Sequence, residues 1–301
     1  MKGIILAGGA GTRLYPLTIV TSKQLLPVYN KPMIYYPLST LMLAKIREVL
    51  IISTPEDTPR ISQLLGDGSQ FGMQLEYAVQ DKPEGLAQAF TIGKDFIGDD
   101  SCAMILGDNI FYGNGLNAKL SGAVKAANRG QATIFGYYVE DPERFGIMEF
   151  KKVSDDKDEG LKVLSVEEKP ANPKSNYAIV GLYFYPAGVS EMAEKVKPSP
   201  RGELEITTLN EMYRQEGRLH AQLLGRGFTW MDAGTIDSLR RATNFVCMIE
   251  QYQGMSISAP EEIAYRFKWI NEEQLRESAD KYGKSPYGEH LRAVLENRIV
   301  I

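Results

Sequence analysis

The stretch GIILAGGAGTR, residues 3–13, passes from a short apolar run directly into a glycine-rich segment. A continuous apolar run of this length is typical of a strand that is buried on both faces of a sheet. Glycines at the carboxyl end of such a strand let backbone N–H groups approach phosphate oxygens closely. The stretch therefore predicts a central strand followed by a candidate phosphate loop, with a ligand-free tight turn as the alternative.

Two familiar phosphate loops do not match this segment. A Walker A loop requires Gly-Lys-Ser/Thr after four intervening residues, and no such triplet follows the first glycine. The dinucleotide fingerprint requires a glycine three places after Gly11, where this chain has Leu14. A dinucleotide-dependent dehydrogenase is therefore disfavoured.

Short apolar runs alternate with helix-like stretches over the first half of the chain. The predicted strands are residues 3–7, 49–53, 102–106 and 133–139. The predicted helices are residues 36–45, 87–96 and 116–128. Because strands that alternate with helices favour a sheet covered on both faces, we predict a Rossmann-like α/β fold, with a mostly parallel mixed sheet flanked by helices.

The pattern changes from Gly146 onwards, where alternating residues predict an inserted β-hairpin. Its strands are residues 146–150 and 161–167, joined by an acidic turn over Ser154 to Gly160 and followed by a strand at 178–185. Helices are then predicted at residues 237–253, 272–282 and 288–297. We expect a single domain over 1–301 with three parts, residues 1–145, 146–235 and a helical C-terminal part, 236–301.

Composition excludes several classes of protein. The 301 residues are 44% apolar, which excludes wholesale disorder, and the net charge of −4 gives no electrostatic footprint for nucleic acid or an acidic membrane. Cys102 and Cys247, with two histidines, provide neither a disulfide framework nor a zinc-like cluster. The apolar run near the start is too short for a signal peptide or a membrane span, so we expect a cytoplasmic enzyme.

Four charged residues are the candidates for chemistry. Arg13 and Lys23 are cations suited to phosphate, and residues 14–27 supply no local carboxylate partner for either. Asp108 follows the predicted strand 102–106, and Asp232 lies in the segment WMDAGT. Mg²⁺ prefers one or two carboxylates together with substrate phosphates and waters, so two aspartates from separate loops suit it. The alternatives are surface charges for the cations and turn or helix caps for the aspartates.

These features occur within motifs that resemble the sugar nucleotidylyltransferase family, and within it the glucose-1-phosphate thymidylyltransferases. The first motif is LAGGAGTRLYPLT with SKQLLP after it, and it indicates the broader family. The further motifs are KPMIYYPL from Lys31, GLAQAF from Gly85, LGDNIF from Leu106, RGELEIT from Arg201 and LGRGF from Leu224. Together they cover nearly the whole chain.

The resemblance implies transfer of the dTMP moiety of dTTP to glucose 1-phosphate, giving dTDP-glucose and pyrophosphate. Arg13 and Lys23 would be catalytic, and Asp108 and Asp232 would bind Mg²⁺. The residues implied to bind the nucleotide are Leu6, Gly8, Gly11, Thr12, Arg13, Gln80, Gly85 and Asp108. The residues implied to bind the sugar phosphate are Gly146, Glu168, Lys169 and Ile179. A phosphate oxygen of the sugar phosphate is already anionic at neutral pH, so we expect no general base.

The resemblance also implies assembly and regulation. Its members form homotetramers, serve dTDP-L-rhamnose synthesis, and are inhibited by dTDP-L-rhamnose at a second nucleotide site. The matching residues are Tyr112, Gly113, Arg226, Glu262 and Arg266. Both arginines could meet a diphosphate and Tyr112 could stack on a base, and the alternative is that the arginines form ion pairs.

Rival functions remain within the same family. A uridylyltransferase differs by one methyl group on the base, which is worth only ~1–3 kcal/mol in a pocket. A non-catalytic regulatory subunit of the same fold would be expected to lose some of Arg13, Lys23, Asp108 and Asp232, whereas this chain has all four. Differences from the common family pattern, such as Ala233, remove none of these groups.

Overall fold

The computed structural model describes residues 1–9, 11–153 and 161–299. The predicted acidic turn, Ser154 to Gly160, lies outside the described residues, as does Ala10 of the glycine loop. The chain divides into two compact units. The first unit comprises Met1–Leu6, Gln80–Leu106 and Tyr112–Trp230. The second unit comprises Ala7–Val79, Gly107–Phe111 and Met231–Ile301.

The strands and helices are named here in chain order. The strands are β1 (Lys2–Leu6), β2 (Pro27–Val28), β3 (Lys31–Pro32), β4 (Glu48–Ser53), β5 (Gln74–Val79), β6 (Cys102–Leu106), β7 (Asn109–Gly113), β8 (Ala132–Tyr138), β9 (Gly146–Lys152), β10 (Leu161–Glu168), β11 (Tyr177–Tyr185), β12 (Leu219–Leu224) and β13 (Phe228–Asp232). The helices are α1 (Tyr35–Leu43), α2 (Thr58–Leu65), α3 (Gln88–Ile92), α4 (Lys94–Ile97), α5 (Leu116–Asn128), α6 (Val189–Ala193), α7 (Ile206–Gln215), α8 (Ile236–Gln253), α9 (Pro260–Arg266), α10 (Glu272–Tyr282) and α11 (Pro286–Leu295).

The first unit is built on a mixed sheet. Strands β1 and β6 are parallel, and their last residues, Leu6 and Leu106, are paired in register. Strand β11 is antiparallel to both β6 and β8, and β12 runs parallel to β8. The β9–β10 hairpin continues the sheet through β11. Residues such as Ile4, Ile134 and Phe184 have no exposed surface, as expected for apolar strands covered on both faces.

The second unit combines a parallel strand pair with most of the C-terminal helices. Strands β4 and β5 are parallel and in register from Glu48 with Gln74 to Ser53 with Val79. Helix α1 is buried over nearly its whole length, which matches a sequence that is apolar on all sides. Helices α10 and α11 begin at side-chain caps, Asn271 and Ser285, that satisfy backbone N–H groups of the first turn.

The structure confirms the predicted α/β class and most predicted elements. The predicted helix at 87–96 is divided at Gly93, which ends α3 and precedes α4. Strands β5 and β12 were not predicted, because polar residues such as Glu76 and Gln222 interrupt their apolar patterns. The sheet of the first unit is mixed, because the parallel pairs β1–β6 and β8–β12 are combined with the antiparallel β11. The β4–β5 pair of the second unit is parallel. Among the described residues, no helix is both long and apolar enough to span a membrane.

One glycine of the second unit is required by a close backbone approach. Gly72 has φ +62, and a Cβ placed there would lie 2.5 Å from the carbonyl oxygen of Trp269. Gly254 has a similar left-handed backbone, with φ +69, but a Cβ there would meet nothing within 4 Å. Alanine substitution at the two positions therefore separates the free-energy cost of the left-handed backbone from the cost of a steric clash.

We predict that Gly254→Ala lowers the free energy of unfolding by about 1–2 kcal/mol, the cost of a left-handed alanine. Gly72→Ala should lower it by roughly 2–5 kcal/mol, because overpacking adds to the same conformational cost. Urea unfolding followed by circular dichroism measures both values. Equal losses in the two variants would contradict the close approach to Trp269.

Candidate active site

The glycine loop lies in the second unit, and residues that follow it in sequence hold its backbone. Gly9 and Gly11 have φ values of +100 and +59, which glycine adopts without strain. The hydroxyl of Thr18 donates to the carbonyl oxygen of Gly11 at 2.8 Å, and Leu14 is fully buried. Thr12 and Arg13 are exposed, so the loop presents its hydroxyl and guanidinium groups outwards.

Lys23 and Asp108 form an ion pair within the second unit. The Lys23 ammonium donates to Asp108 Oδ2 at 2.5 Å, and only 12% and 14% of their side chains are exposed. Asn109 Nδ2 donates to the other carboxylate oxygen at 2.8 Å. Burial raises the pKa of Asp108, but the Lys23 charge and these hydrogen bonds outweigh burial and hold the pKa below its ordinary value. The cation thus has a partner that lies 85 residues away in sequence.

Asp232 lies beside this pair in the same unit. The backbone N–H of Ala233 donates to the carbonyl oxygen of Asp108 at 3.0 Å, which brings the two aspartate-bearing segments together. Asp232 Oδ1 accepts a hydrogen bond from the N–H of Gly234 at 2.7 Å. A Cβ at Gly234 would lie 2.7 Å from that oxygen and 3.2 Å from Arg13 Nη2. Glycine at this position therefore lets the carboxylate and the guanidinium approach each other.

Helix α8 begins immediately after these residues. Its N-cap is Thr235, whose hydroxyl accepts from the N–H of Ser238 in a capping box. Asp232 is therefore not the helix cap, although its carboxylate does hold the turn at Gly234. The N-terminus of this long helix adds a partial positive charge next to Arg13, which favours anions at this place.

The residues of this cluster fit a magnesium ion. Asp108 and Asp232 lie on segments of the second unit that are joined by the Ala233 to Asp108 backbone hydrogen bond, and their carboxylates are hard oxygen ligands. In the part of the chain that the structure describes, no group of three or more His, Cys, Asp or Glu residues is arranged for a metal. A cation with two protein carboxylates needs further oxygen ligands, and phosphates and waters supply these in magnesium sites.

A separate cluster in the first unit contains Gln80 and Gly85. Gln80 is 4% exposed, and its Nε2 donates to Gln88 Oε1 at 2.6 Å. Gly85 has φ +114, and a Cβ there would lie 2.4 Å from the carbonyl oxygen of Leu204. Leu204 also exchanges backbone hydrogen bonds with Glu84 and Ala87, so this turn is fixed against it. Backbone hydrogen bonds therefore hold the turn, and Gln88 orients the amide of Gln80.

The hairpin and α7 form a third cluster, also in the first unit. Gly146 pairs with Glu168 in register, and a Cβ at Gly146 would lie 2.9 Å from Thr207 Cγ2 and 3.2 Å from Glu168 Oε2. Thr207 Oγ1 donates to Glu168 Oε2 at 3.2 Å, and Lys169 Nζ lies 3.8 Å from Glu168 Oε1. Ile179 lies in β11 opposite Gly136 and is nearly buried.

Glu168 has a perturbed pKa because several charges surround it. Burial raises the pKa, and the neighbouring Glu205 carboxylate raises it further. Lys169, the Thr207 hydroxyl and Arg201 act in the opposite direction, and the net effect is a raised pKa. Lys169 itself has φ +40, a conformation that is rare outside glycine and is often found at functional sites.

The residues implied for a regulatory site fall into two groups. In the first unit, a Cβ at Gly113 would lie 2.8 Å from the carbonyl oxygen of Gly227, so the Tyr112–Gly113 segment packs against the loop that carries Arg226. In the second unit, Glu262 accepts from Arg266 Nε at 2.7 Å and lies 2.6 Å from His290 Nε2. Burial raises the pKa of Glu262, but His290 and Arg266 outweigh burial and lower it. Arg266 thus takes part in an ion pair.

Sequence reasoning missed several partners in these clusters, among them Gln88, Arg201 and Thr207. Gln88 orients Gln80, and Arg201 Nη1 lies 3.5 Å from Glu168 and 3.4 Å from Glu205. All three lie within the motifs GLAQAF and RGELEIT. These motifs indicate the family, but the resemblance implied no role for these three residues. The spacing of Arg201 and Glu205 gave no signal, because residues 201–205 precede α7 and are not helical.

With this geometry in view, comparison with known proteins defines the family. The family profile described as "Nucleotidyl transferase" matches residues 2–248. The chain belongs to the nucleotidyl transferase family.

Similar proteins with names and structures agree with that family. A glucose-1-phosphate thymidylyltransferase of Neisseria meningitidis serogroup A is 53% identical over 98% of this chain and 100% of its own length. One from Mycobacterium tuberculosis is 52% identical over 98% of this chain and 99% of its own length. A crystal structure of a Bacillus anthracis protein in complex with sucrose is 41% identical, with a TM-score of 0.71 over 81% of this chain and 94% of that one. A UDP-glucose pyrophosphorylase, 21% identical with a TM-score of 0.71 over 82% and 98% of the two chains, shows the same fold.

The charged groups around Glu168 predict how the pKa of its carboxyl group responds to substitution. The carboxyl group should titrate above the ordinary value for glutamate, about 4.3, so that it takes up its proton at a higher pH than a free side chain. Arg201→Met should raise this pKa further, because a positive charge is lost, and Glu205→Gln should lower it. Titration of the Glu168 side-chain carboxyl by ¹³C NMR measures the three values. Shifts of the same sign in both variants would refute this electrostatic description.

Proposed function

We propose that this protein is a cytoplasmic, Mg²⁺-dependent glucose-1-phosphate thymidylyltransferase. It transfers the dTMP moiety of dTTP to α-D-glucose 1-phosphate and releases pyrophosphate, the first step of dTDP-L-rhamnose and related deoxysugar synthesis. The observation that carries the proposal is the cluster of Arg13, Lys23, Asp108 and Asp232 next to a glycine loop and a helix N-terminus. Relatives with this activity, more than half identical over nearly the whole chain, support the choice of substrates.

The reaction requires positioning and charge stabilisation more than proton transfer. A phosphate oxygen of glucose 1-phosphate forms a bond to the α-phosphorus of dTTP. The bond from that phosphorus to the bridging oxygen breaks, and pyrophosphate leaves with the electron pair. The attacking oxygen is already anionic near neutral pH, so no general base is needed. We propose direct in-line transfer without a covalent enzyme intermediate.

The cations of the second unit have distinct roles in this proposal. Arg13 extends from the glycine loop and holds the triphosphate through its planar guanidinium. Lys23, which is paired with Asp108 in the free protein, stabilises the charge that develops on the α-phosphoryl group. Asp108 and Asp232 would hold Mg²⁺, which supplies Lewis-acid stabilisation of the phosphate oxygens when bound. The loop glycines, Gly8 and Gly11, allow backbone N–H groups close to the phosphates.

The clusters of the first unit would bind the base and the sugar. Leu6, Gly85 and the amide of Gln80 would surround the thymine, with Gln88 fixing the direction of that amide. Glu168 would accept hydrogen bonds from sugar hydroxyls, and Lys169 would meet the sugar phosphate. Gly146 and Ile179 would complete that pocket, and the small residue at Gly146 leaves room against Glu168.

Measuring pyrophosphate release tests the proposed function. The protein is incubated with Mg²⁺, glucose 1-phosphate and each of dTTP, UTP, CTP, ATP and GTP in turn. The proposal expects the highest kcat/KM with dTTP and lower values with UTP, because one methyl group contributes only ~1–3 kcal/mol. Preference for UTP would favour the uridylyltransferase, and no turnover with any nucleotide would favour a regulatory subunit.

Metal binding by the aspartates gives a sharper prediction. Asp232→Asn should abolish measurable turnover while leaving the fold intact, because one carboxylate holds an octahedral ion poorly against two phosphates. The matched control is Asp237→Asn, an exposed aspartate in the first turn of α8, which should keep near-normal activity. Pyrophosphate release at a series of Mg²⁺ concentrations measures the activity of both variants. Near-normal activity of Asp232→Asn at limiting Mg²⁺ would remove this residue from the metal site.

We further propose that the protein assembles as a homotetramer and that dTDP-L-rhamnose inhibits it at a second site. The residues proposed for this site are Tyr112, Gly113, Arg226, Glu262 and Arg266. The resemblance to regulated members of the family is the support for this assignment. Inhibition requires that the ligand bind a less active state more tightly than the active one.

Removal of one arginine tests this regulatory site. Arg226→Ala should weaken inhibition by dTDP-L-rhamnose about tenfold or more, because a charge-assisted contact to a diphosphate is lost, while turnover persists. Arg240→Ala removes another exposed arginine and should leave inhibition unchanged. Inhibition curves at several dTTP concentrations provide the comparison. Equal, purely competitive inhibition in the wild type and Arg226→Ala would show that the sugar nucleotide binds at the active site.

A further inference from the structure

One buried carboxylate of the first unit has no part in the reaction proposed above. Glu205 is 6% exposed and is the N-cap residue of α7, where the partial positive charge of a helix N-terminus favours an anion. Its Oε1 accepts a hydrogen bond from the Ser199 hydroxyl at 2.9 Å, and no hydrogen bond from the described residues reaches its Oε2. Because a charge buried with so few partners is costly, its place beside Glu168 calls for an explanation.

Glu205 shares one guanidinium nitrogen with Glu168. Arg201 Nη1 lies 3.4 Å from Glu205 Oε1 and 3.5 Å from Glu168 Oε1, so neither carboxylate forms a short hydrogen bond with it. The other nitrogen, Nη2, donates to Glu203 Oε1 at 3.0 Å. The Arg201 side chain is 40% exposed, so it can move towards either carboxylate. The guanidinium therefore lies between two carboxylates and is bound tightly by neither.

Glu205 can act as a fixed anchor because the backbone around it is held. The Ser199 hydroxyl, which donates to Glu205, also accepts from the backbone N–H of Arg201 at 3.2 Å. The N–H of Leu204 donates to the carbonyl oxygen of Glu84 at 2.6 Å, and α7 begins directly after Glu205. The position of the Glu205 carboxylate is therefore set by the fold, whereas the half-exposed guanidinium is set by the charges around it.

The Glu168 carboxylate keeps one oxygen available to a ligand in this arrangement. Its Oε2 accepts from the Thr207 hydroxyl at 3.2 Å, whereas its Oε1 has only Arg201 at 3.5 Å and Lys169 Nζ at 3.8 Å among the described residues. These cations offset the charge on Oε1 without a short hydrogen bond. A close arginine pair would instead occupy this oxygen, because charge-assisted hydrogen bonds from a guanidinium are stronger than those from a neutral hydroxyl.

We propose that Glu205 is a positioning residue for Glu168. The Glu205 carboxylate holds the Arg201 guanidinium back, and this leaves Glu168 Oε1 able to accept a hydrogen bond from a hydroxyl of the sugar phosphate. Glu205 acts through Arg201 and does not itself contact the sugar. Glu168 binds sugar hydroxyls in the proposed function, on which this role of Glu205 rests.

Glu205→Gln removes the charge and keeps the approximate shape of the side chain. Without that charge, Arg201 should move onto Glu168 and compete with the sugar. In pyrophosphate release at saturating dTTP, the KM for glucose 1-phosphate should rise about tenfold, the effect of losing one hydrogen bond to a charged group. The kcat and the KM for dTTP should stay within about twofold, because the lost contact is made equally in the ground state and the transition state.

Glu211→Gln is the matched control for the loss of charge. This glutamate lies on α7 and is paired with Arg214, so its replacement removes a carboxylate from the same helix and should leave all three kinetic constants unchanged. Ser199→Ala is a milder variant that tests the same role if Glu205→Gln fails to fold. It removes the hydroxyl that holds Glu205 Oε1 and should raise the KM for glucose 1-phosphate in the same direction.

A double-mutant cycle separates this positioning role from a structural one. In the Arg201→Met background, Glu205→Gln should change the KM for glucose 1-phosphate less than about twofold, because no guanidinium remains to be held back. Titration of Glu168 by ¹³C NMR gives a readout that does not depend on turnover. The approach of Arg201 should add to the lowering of the Glu168 pKa in Glu205→Gln, so the lowering should be smaller once Arg201 is absent.

Two results would overturn the positioning role. The first is an unchanged KM for glucose 1-phosphate in both Glu205→Gln and Ser199→Ala. The second is an equal effect of Glu205→Gln on this KM with and without Arg201. Absence of turnover by the wild type with any nucleoside triphosphate is a different result: it would overturn the proposed function, and the role of Glu168 in binding the sugar would be lost with it.

Discussion

The ion pair between Lys23 and Asp108 is the interaction around which the candidate active site is organised. An ammonium or a carboxylate buried to this extent costs several kcal/mol when it stands alone, so each group depends on the other. The backbone of Asp108 also receives the N–H of Ala233, and through it the segment with Asp232 and Gly234 is held in place. In the proposed reaction, a bound triphosphate would compete with Asp108 for Lys23, and the ion pair would keep the cation in position before the substrate binds.

The carboxylates of Asp108 and Glu168 have pKa values that are shifted in opposite directions. Asp108 is buried beside a cation, and its pKa falls because the Lys23 charge outweighs desolvation. Glu168 is buried beside Glu205, and its pKa rises because Lys169 and Arg201 only partly offset burial and like charge. A carboxylate with a lowered pKa suits metal coordination, whereas a carboxylate with a raised pKa suits neutral hydroxyl partners.

Local patterns in the sequence were sufficient for β1, β6 and the loops that follow them, but not for β5, which precedes Gln80, or for the partners of the side chains in the candidate site. The apolar runs of β1 and β6 predicted buried strands, and their ends predicted the positions of the glycine loop and Asp108. The partner of Lys23 lies 85 residues away, so the absence of acidic residues nearby could not reveal it. The same holds for Arg201, which reaches Glu168 only because α7 packs against the hairpin. Side-chain pairing across folded segments has no local signal.

The second unit is assembled from three segments that are separated in sequence, and the last of these begins at Met231. A ribosome adds about 5–20 residues per second, so Asp108 is synthesised several seconds after Lys23, and Asp232 is synthesised later still. A nascent chain that has just passed Trp230 holds all of the first unit, yet it lacks Asp232, Gly234 and α8. A product that stops before Asp232 would therefore lack one of the two proposed magnesium ligands and the helix N-terminus that lies beside Arg13.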